Sequence, residues 1–354
     1  MRAMKSLSSL TIPQALEPGD KIAVVASSWG GPGTFPWRYE AGVKQLQEAF
    51  GVQVVPTRHA LKPAAWVAKN PKARADDLME AFANPNIKGI ISAIGGADSV
   101  RLVPHMDLGV IRANPKVYLG YSDSTVTHFM CLAAGVRSYY GPSIMAGFAE
   151  NCGPHPYMVD SVRRVLFNTD PVGEMGVAPR WTNEHLPWEE PANQLIKRKM
   201  VKNAGRRVLQ GKGMAEGRAL PMCADLFPML SGTSIWPKLR TFEGAVLFLE
   251  TSEDMPPQSE FTYWLRNIGV QGIFSKLAGI VLARPFNRAY NKPFFGYDET
   301  LQRVVADEFG EKRLPIIAQA DFGHTDPMFT IPYGANVHRN CKTGGINFPE
   351  PGVR

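Results

Sequence analysis

Three turns carry the residues of this chain whose types and spacing could do chemistry. Ser122 stands in Gly120-Tyr121-Ser122-Asp123-Ser124, between an apolar run and a helical pattern. A serine lifted out of a sheet by a tight turn lies beside the free N–H groups of the following helix, which suits a nucleophile. The same Gly-x-Ser pattern also serves a plain helix N-cap, and Ser124 breaks the longer Gly-x-Ser-x-Gly form. A nucleophilic serine needs a base and an orienting carboxylate. Of the seven histidines, His324 directly follows a strand-like run and Gly323, whereas His59, His105, His128, His155, His185 and His338 lie in helical, loop or tail contexts. Glu250 ends an otherwise apolar run, where a bare carboxylate is costly unless it is hydrogen-bonded or functional. Glu253, in the same Glu-Thr-Ser-Glu stretch, is the alternative carboxylate. An oxyanion formed at Ser122 would meet the backbone N–H of Asp123, and the Gly95-Gly96 turn lets the Gly96 N–H approach as a second donor.

Such residues work only if strands deliver them to one edge. The first half of the chain alternates β-branched runs with helical patterns, the signature of a parallel sheet wrapped by helices. Strands are expected over 21–27, 52–57, 89–95 and 116–122, with helices over 35–50, 72–85, 99–105 and 124–135. Periodicity weakens between about Asn151 and Met214, then returns as strands over 245–251, 276–285 and 314–323 and helices over 257–269 and 298–311. In open α/β sheets ligands bind at the carboxyl ends of the strands, so the turns at Ser27–Gly33, Gly95–Ser99, Gly120–Ser124, Glu250–Glu253 and Gly323–Pro327 should converge. The turn Gly31-Pro32-Gly33-Thr34-Phe35-Pro36 lacks the third glycine of a dinucleotide fingerprint, and its prolines remove donors a pyrophosphate would need. No cofactor is expected.

At 354 residues the chain exceeds the roughly 250 to 300 that one core supports, so two domains are expected. We divide it into residues 1–165, an excursion over 166–214, and residues 215–354. Disorder is excluded by 44% hydrophobic content, and no apolar run approaches the ~20 residues of a membrane span. The opening residues lack a leader-like apolar core. Cys131, Cys152, Cys223 and Cys341 have neither disulfide-framework nor metal-site spacing, so a cytoplasmic protein without a metal is expected. The net charge of +7 is partly local, with Lys197, Arg198, Lys199, Lys202, Arg206 and Arg207 in one segment. That segment is either a solvated face or an attractor for a phosphate or carboxylate; no motif accompanies it that would read nucleic acid.

The motifs GYSDST, LFLETSED and GHTDPMFTIPYG together resemble those of the LD-carboxypeptidase family, serine peptidases with a Ser-His-Glu triad. IGGADSVRLVPHMD resembles that family's oxyanion segment and LEPGDKIAVVAS its opening, so the resemblance spans nearly the whole chain. ETSE, SGTSIWP and the WTNEHLPW excursion look like the microcin C immunity-type branch. The resemblance implies an N-terminal flavodoxin-like domain, a C-terminal β/α domain and a homodimer. It implies Ser122 as nucleophile, His324 as base, Glu250 as its orienter, and Gly96 with Asp123 as oxyanion donors. The implied substrate is a small peptide or a peptidyl-nucleotide, cleaved without a metal. Ser99, Trp181 and Trp188 are the candidate substrate contacts; the tryptophans either pin the excursion to the domain or one of them stacks on a base or apolar leaving group. The chain departs from immunity-type relatives by Arg206 and Val208 at aromatic positions and Pro221-Met222 at glycines. An esterase using the same triad, and a non-catalytic α/β protein that binds a small peptide or nucleotide, are the competing expectations.

Overall fold

The structure is a computed structural model that describes residues 7–354; the first six residues, part of the stretch read above for a leader, lie outside the described residues. Lys21–Val25, Gln53–Pro56, Ile87–Ser92, Val117–Gly120 and Tyr139–Tyr140 form parallel strands β1 to β5 of the N-terminal sheet. Their spatial order is β2-β1-β3-β4-β5, the flavodoxin-like arrangement that the family resemblance implies. The order reverses between β1 and β3, where Val25 faces Ser92, so the Ser27 loop and the Gly95 turn leave the sheet side by side. These strands read as continuous apolar runs because helices cover both faces of a parallel sheet. Pro36–Phe50 starts on proline and stops at Gly51 in the left-handed region, and Pro71–Ala83 also begins on proline, whose missing N–H costs nothing in a first turn.

The second sheet has eight strands. Four are central and parallel: Met214–Cys223, Ala245–Glu250, Gly279–Ala283 and Ile316–Ala320. Asn336–Asn340, Gly345–Phe348 and Gly173–Glu174 extend one side, and Arg207–Gln210 closes the other antiparallel to Ile316–Ala320. The expected helix over 298–311 forms as Gly296–Gln302 followed by a wider, π-helical stretch, Arg303–Glu308. The short strand Ile331–Pro332 leaves this half of the chain and pairs with Tyr139–Tyr140, joining the N-terminal sheet. Thr125–Ala134 is buried along almost its whole length because it lies between the two parts, and its Thr125 hydroxyl accepts the Cys223 N–H at 3.2 Å. Among the described residues no helix is long and apolar enough to cross a membrane.

Candidate active site

Ser122 follows strand Val117–Gly120 and precedes helix Thr125–Ala134. It holds a φ of 60°, a left-handed conformation that a non-glycine residue adopts at a cost of order 1–3 kcal/mol. That turn stands the side chain out of the sheet. Its N–H donates to the Tyr140 hydroxyl at 3.0 Å, which anchors the strained turn to the neighbouring strand. Gly95 packs on the serine so closely that an added Cβ would lie 2.9 Å from its Oγ. Gly96 has a φ of 142°, and a Cβ there would lie 2.5 Å from the Ser28 hydroxyl.

Glu250 ends strand Ala245–Glu250 and is 1% exposed. One carboxylate oxygen accepts the Tyr140 hydroxyl; the other lies 2.5 Å from His324 Nδ1. His324 Nε2 in turn lies 3.1 Å from Ser122 Oγ, which completes a buried chain of hydrogen bonds from carboxylate to hydroxyl. The same Nε2 faces Glu253 Oε2 at 3.0 Å. Burial opposes the charged imidazole, but Glu250 and Glu253 outweigh it and raise the His324 pKa well above its ordinary value. The imidazolium, by its charge, holds the Glu253 carboxyl down to about 2. Burial, reinforced by the Glu250 charge, keeps the Tyr140 phenol protonated.

The two candidate oxyanion donors are held together by the Asp123 side chain. Its Oδ2 accepts the Ser28 hydroxyl, the Asp98 N–H at 3.1 Å and the Ser99 N–H at 2.9 Å. Ser99 is buried, and its hydroxyl donates to the Asp123 carbonyl at 2.9 Å. It does not reach the cleft. The expectation of Ser99 as a substrate contact is corrected: the first turn of Ser99–His105 points its side chain at Asp123, where it braces the Ser122 turn.

A cleft of about 610 Å³ opens on Gly96, Ser122 and His324, with Arg38, Trp188 and Arg198 on its walls. Trp188 is half-buried, with the Arg38 guanidinium 4.6 Å from its ring centroid and its carbonyl accepting Trp37 Nε1 at 3.0 Å. Trp181 is not on this cleft. It is 3% exposed in strand Arg180–Trp181, under the Arg284 guanidinium at 4.9 Å, so its role is to pack the excursion against the body. The basic segment divides: Lys197, Lys199 and Lys202 are exposed, as a solvated face would be, whereas its three arginines are paired. Arg198 is paired with Glu150 and, at 2.7 Å, with Asp326. Arg206 donates to the Met175 and Gly176 carbonyls, and Arg207 reaches Asp298 at 2.6 Å. Those three guanidiniums fasten the excursion through the carboxylates and carbonyls they meet.

Sequence reasoning passed over Tyr140 and Arg38. Tyr140 sits in a two-residue strand too short to show a pattern. Arg38 had one usable signal, a basic residue on the inward face of helix Pro36–Phe50; burial lowers its pKa to about 10, so it stays charged at neutral pH. Among the described residues no group of three or more His, Cys, Asp or Glu side chains is arranged to hold a metal ion.

Residues 22–141 match the LD-carboxypeptidase N-terminal domain, and residues 216–338 match the LD-carboxypeptidase C-terminal domain. The chain belongs to the LD-carboxypeptidase family. It is therefore a hydrolase of the serine peptidase class. The chain is 28% identical to the microcin C7 self-immunity protein MccF of Escherichia coli, over 95% of this chain and 94% of that protein. It is 25% identical to a probable murein peptide carboxypeptidase of Bacillus subtilis, over 95% and 94% of the two chains. A structure of microcin C7 self-immunity protein MccF with aspartyl sulfamoyl adenosine superposes at a TM-score of 0.83 and 28% identity, covering 97% of this chain and 100% of that one. An MccF-like protein from Streptococcus pneumoniae in complex with AMP does so at 0.83 and 26%, covering 93% and 98%.

Proposed function

We propose that this family member cleaves a peptide-like or nucleotidyl-peptide amide through Ser122, His324 and Glu250. The observation that carries the reading is the hydrogen-bonded sequence Glu250–His324–Ser122 at the floor of the 610 Å³ cleft. Ser122 Oγ attacks the carbonyl carbon of the scissile amide while its proton passes to His324 Nε2. The carbonyl oxygen becomes an oxyanion facing the N–H groups of Gly96 and Asp123, and Asp123 keeps those two turns in register through its carboxylate. His324 then gives the proton to the departing nitrogen, leaving an acyl group on Ser122 Oγ. Water repeats the sequence to release the acid. Glu250 holds the imidazole in the tautomer that presents Nε2 to the serine, and Tyr140 steadies Glu250 from behind.

The nucleotide-bearing alternative draws support from Trp188 and Arg38, a ring and a guanidinium stacked at the cleft wall, and from the relatives bound to AMP and to aspartyl sulfamoyl adenosine. All four cysteines are free thiols, which fits the cytoplasmic location included in this reading; the homodimer is carried over from the family. The test is to incubate the protein with an LD-tetrapeptide and with an aminoacyl-adenylate amide and to read the products by mass spectrometry. Ser122→Ala and His324→Ala should each remove about 10⁶-fold of the turnover, with the double variant little worse. Comparable turnover by folded Ser122→Ala would overturn the mechanism.

A further inference from the structure

Arg74 belongs to helix Pro71–Ala83, which packs against β1 and β3, and is only 2% exposed. A guanidinium so buried is costly unless its donors are met. Its Nη1 donates to the Ser27 carbonyl at 2.9 Å and the Ser28 carbonyl at 3.1 Å, and its Nη2 to Asp98 Oδ2 at 2.5 Å. Ser27 and Ser28 follow β1 and Asp98 follows β3, so one planar fork bridges the two loops that the reversal of strand order sets side by side. Both loops bear on Gly96. It stands two residues before Asp98, and a Cβ on it would meet the Ser28 hydroxyl at 2.5 Å. Arg101 also reaches Asp98, at 3.1 Å, but from the outside, where it is 48% exposed.

Asp123 gives the guanidinium a second task. Its N–H is one of the two proposed oxyanion donors, while its fully buried carboxylate accepts the Ser28 hydroxyl and the Asp98 and Ser99 N–H groups on Oδ2. The other oxygen, Oδ1, is buried without a hydrogen-bond partner among the described residues. A negative charge thus sits within one residue of the point where another develops in the transition state, and in a dry site like charges repel strongly. Arg74 is the buried cation at this junction. Burial lowers its pKa, while Asp98 and, more weakly, Asp123 oppose the fall, so both carboxylates act on the guanidinium.

We propose that Arg74 is a positioning residue for the hydrolytic reaction: its fork fixes the Ser27–Ser28 loop against the Gly96 turn, and its charge offsets the Asp123 carboxylate as the oxyanion forms. This rests on Ser122 being the nucleophile and on the Gly96 and Asp123 N–H groups meeting the oxyanion. Arg74 is not on the wall of the 610 Å³ cleft, so its loss is felt in the transition state and not in substrate binding.

The test uses p-nitrophenyl acetate, an activated ester whose attack by a serine passes through the same kind of oxyanion. The readouts are the nitrophenolate burst and the acetyl adduct on Ser122 by peptide mass spectrometry. Arg74→Gln should lower the maximal acylation rate by about 10²-fold, the scale of losing one oxyanion donor, while the half-saturating ester concentration changes by less than about twofold. Arg74→Lys keeps the charge without the fork and should lose about tenfold. The charge has a signature of its own: Asp123→Asn should slow the unaltered protein but speed the Arg74→Gln variant, because there it removes an anion that nothing offsets. Thermal melts identify the folded variants, and Arg74→Lys, which keeps the buried cation, decides the positioning role if Arg74→Gln does not fold. An unchanged maximal rate in the folded Arg74 variants overturns the positioning role, and a double variant no faster than Arg74→Gln overturns the counter-charge; either result leaves the Ser122 adduct in place. Release without an adduct on Ser122, or no release from the unaltered protein, instead defeats the nucleophile assignment and this inference with it.

Discussion

Glu253 stands 3.0 Å from His324 Nε2, on the opposite ring nitrogen from the one that meets Glu250 at 2.5 Å. The imidazole is therefore held between two carboxylates. Its raised pKa means that the neutral, basic form is populated only as the pH climbs above the ordinary histidine range, so kcat/KM should rise with pH along an acidic limb. Glu253→Gln removes one of the two anions and lowers that pKa, moving the limb to lower pH. A pH–rate profile whose limb stays in place would show that Glu253 does not bear on the protonation of His324.

Tyr140 accepts the N–H of Ser122 and donates to Glu250, so one hydroxyl ties the Ser122 turn to the Glu250 carboxylate. Tyr140→Phe should lower kcat by about tenfold with little change in KM, the effect of losing one hydrogen bond to a charged group. It leaves the Ser122 N–H without its acceptor, which should also cost about 1–3 kcal/mol of stability. Steady-state kinetics and thermal melts read the two effects separately. Glu250→Gln should cost more in kcat than Tyr140→Phe, because it removes the charge that favours the imidazolium.

Gly96→Ala tests the oxyanion donor by geometry. The new methyl meets the Ser28 hydroxyl at a φ that side chains rarely adopt, so the turn must shift its N–H. One lost donor should lower kcat by about 10²- to 10³-fold, with KM much less affected. An unchanged kcat would make the Gly95-Gly96 turn a packing feature alone.

The two tryptophans of the excursion should separate cleanly. Trp188→Ala removes a ring from the cleft wall and should raise KM for an aminoacyl-adenylate amide by roughly fivefold or more, from ~1 to 3 kcal/mol of stacking. Trp181→Ala empties a buried site and should lower stability by about 3–5 kcal/mol while leaving that KM unchanged in protein that remains folded. Melting curves beside KM measurements decide it; a KM effect from Trp181→Ala without loss of stability would contradict its buried position.

How much of this was legible in the sequence follows from the range of the forces involved. Strands buried on both faces leave unbroken apolar runs, and helices bounded by proline and glycine announce their ends, so the α/β class was readable locally, while the flavodoxin-like form of the first half came only from the family resemblance. Strand Met214–Cys223 was not, because Gly217, Arg218 and Pro221 interrupt its pattern; it forms because partners on both sides, Asn336–Asn340 and Ala245–Glu250, supply its hydrogen bonds. Likewise, the sequence alone marked Ser122, Glu250 and His324 as reactive types at strand ends, since a carboxylate or a histidine after an apolar run is unusual in any fold. Only the tertiary structure decided that Ser99 faces Asp123 and not the cleft, that Trp181 is buried and Trp188 is not, and that Arg198 is neutralised by Glu150 and Asp326. The residue type sets what a side chain can do, but its partner lies up to 202 positions away in the Ser122–His324 pair. Which neighbour it meets depends on how whole layers pack, and that information is carried by no local stretch of chain.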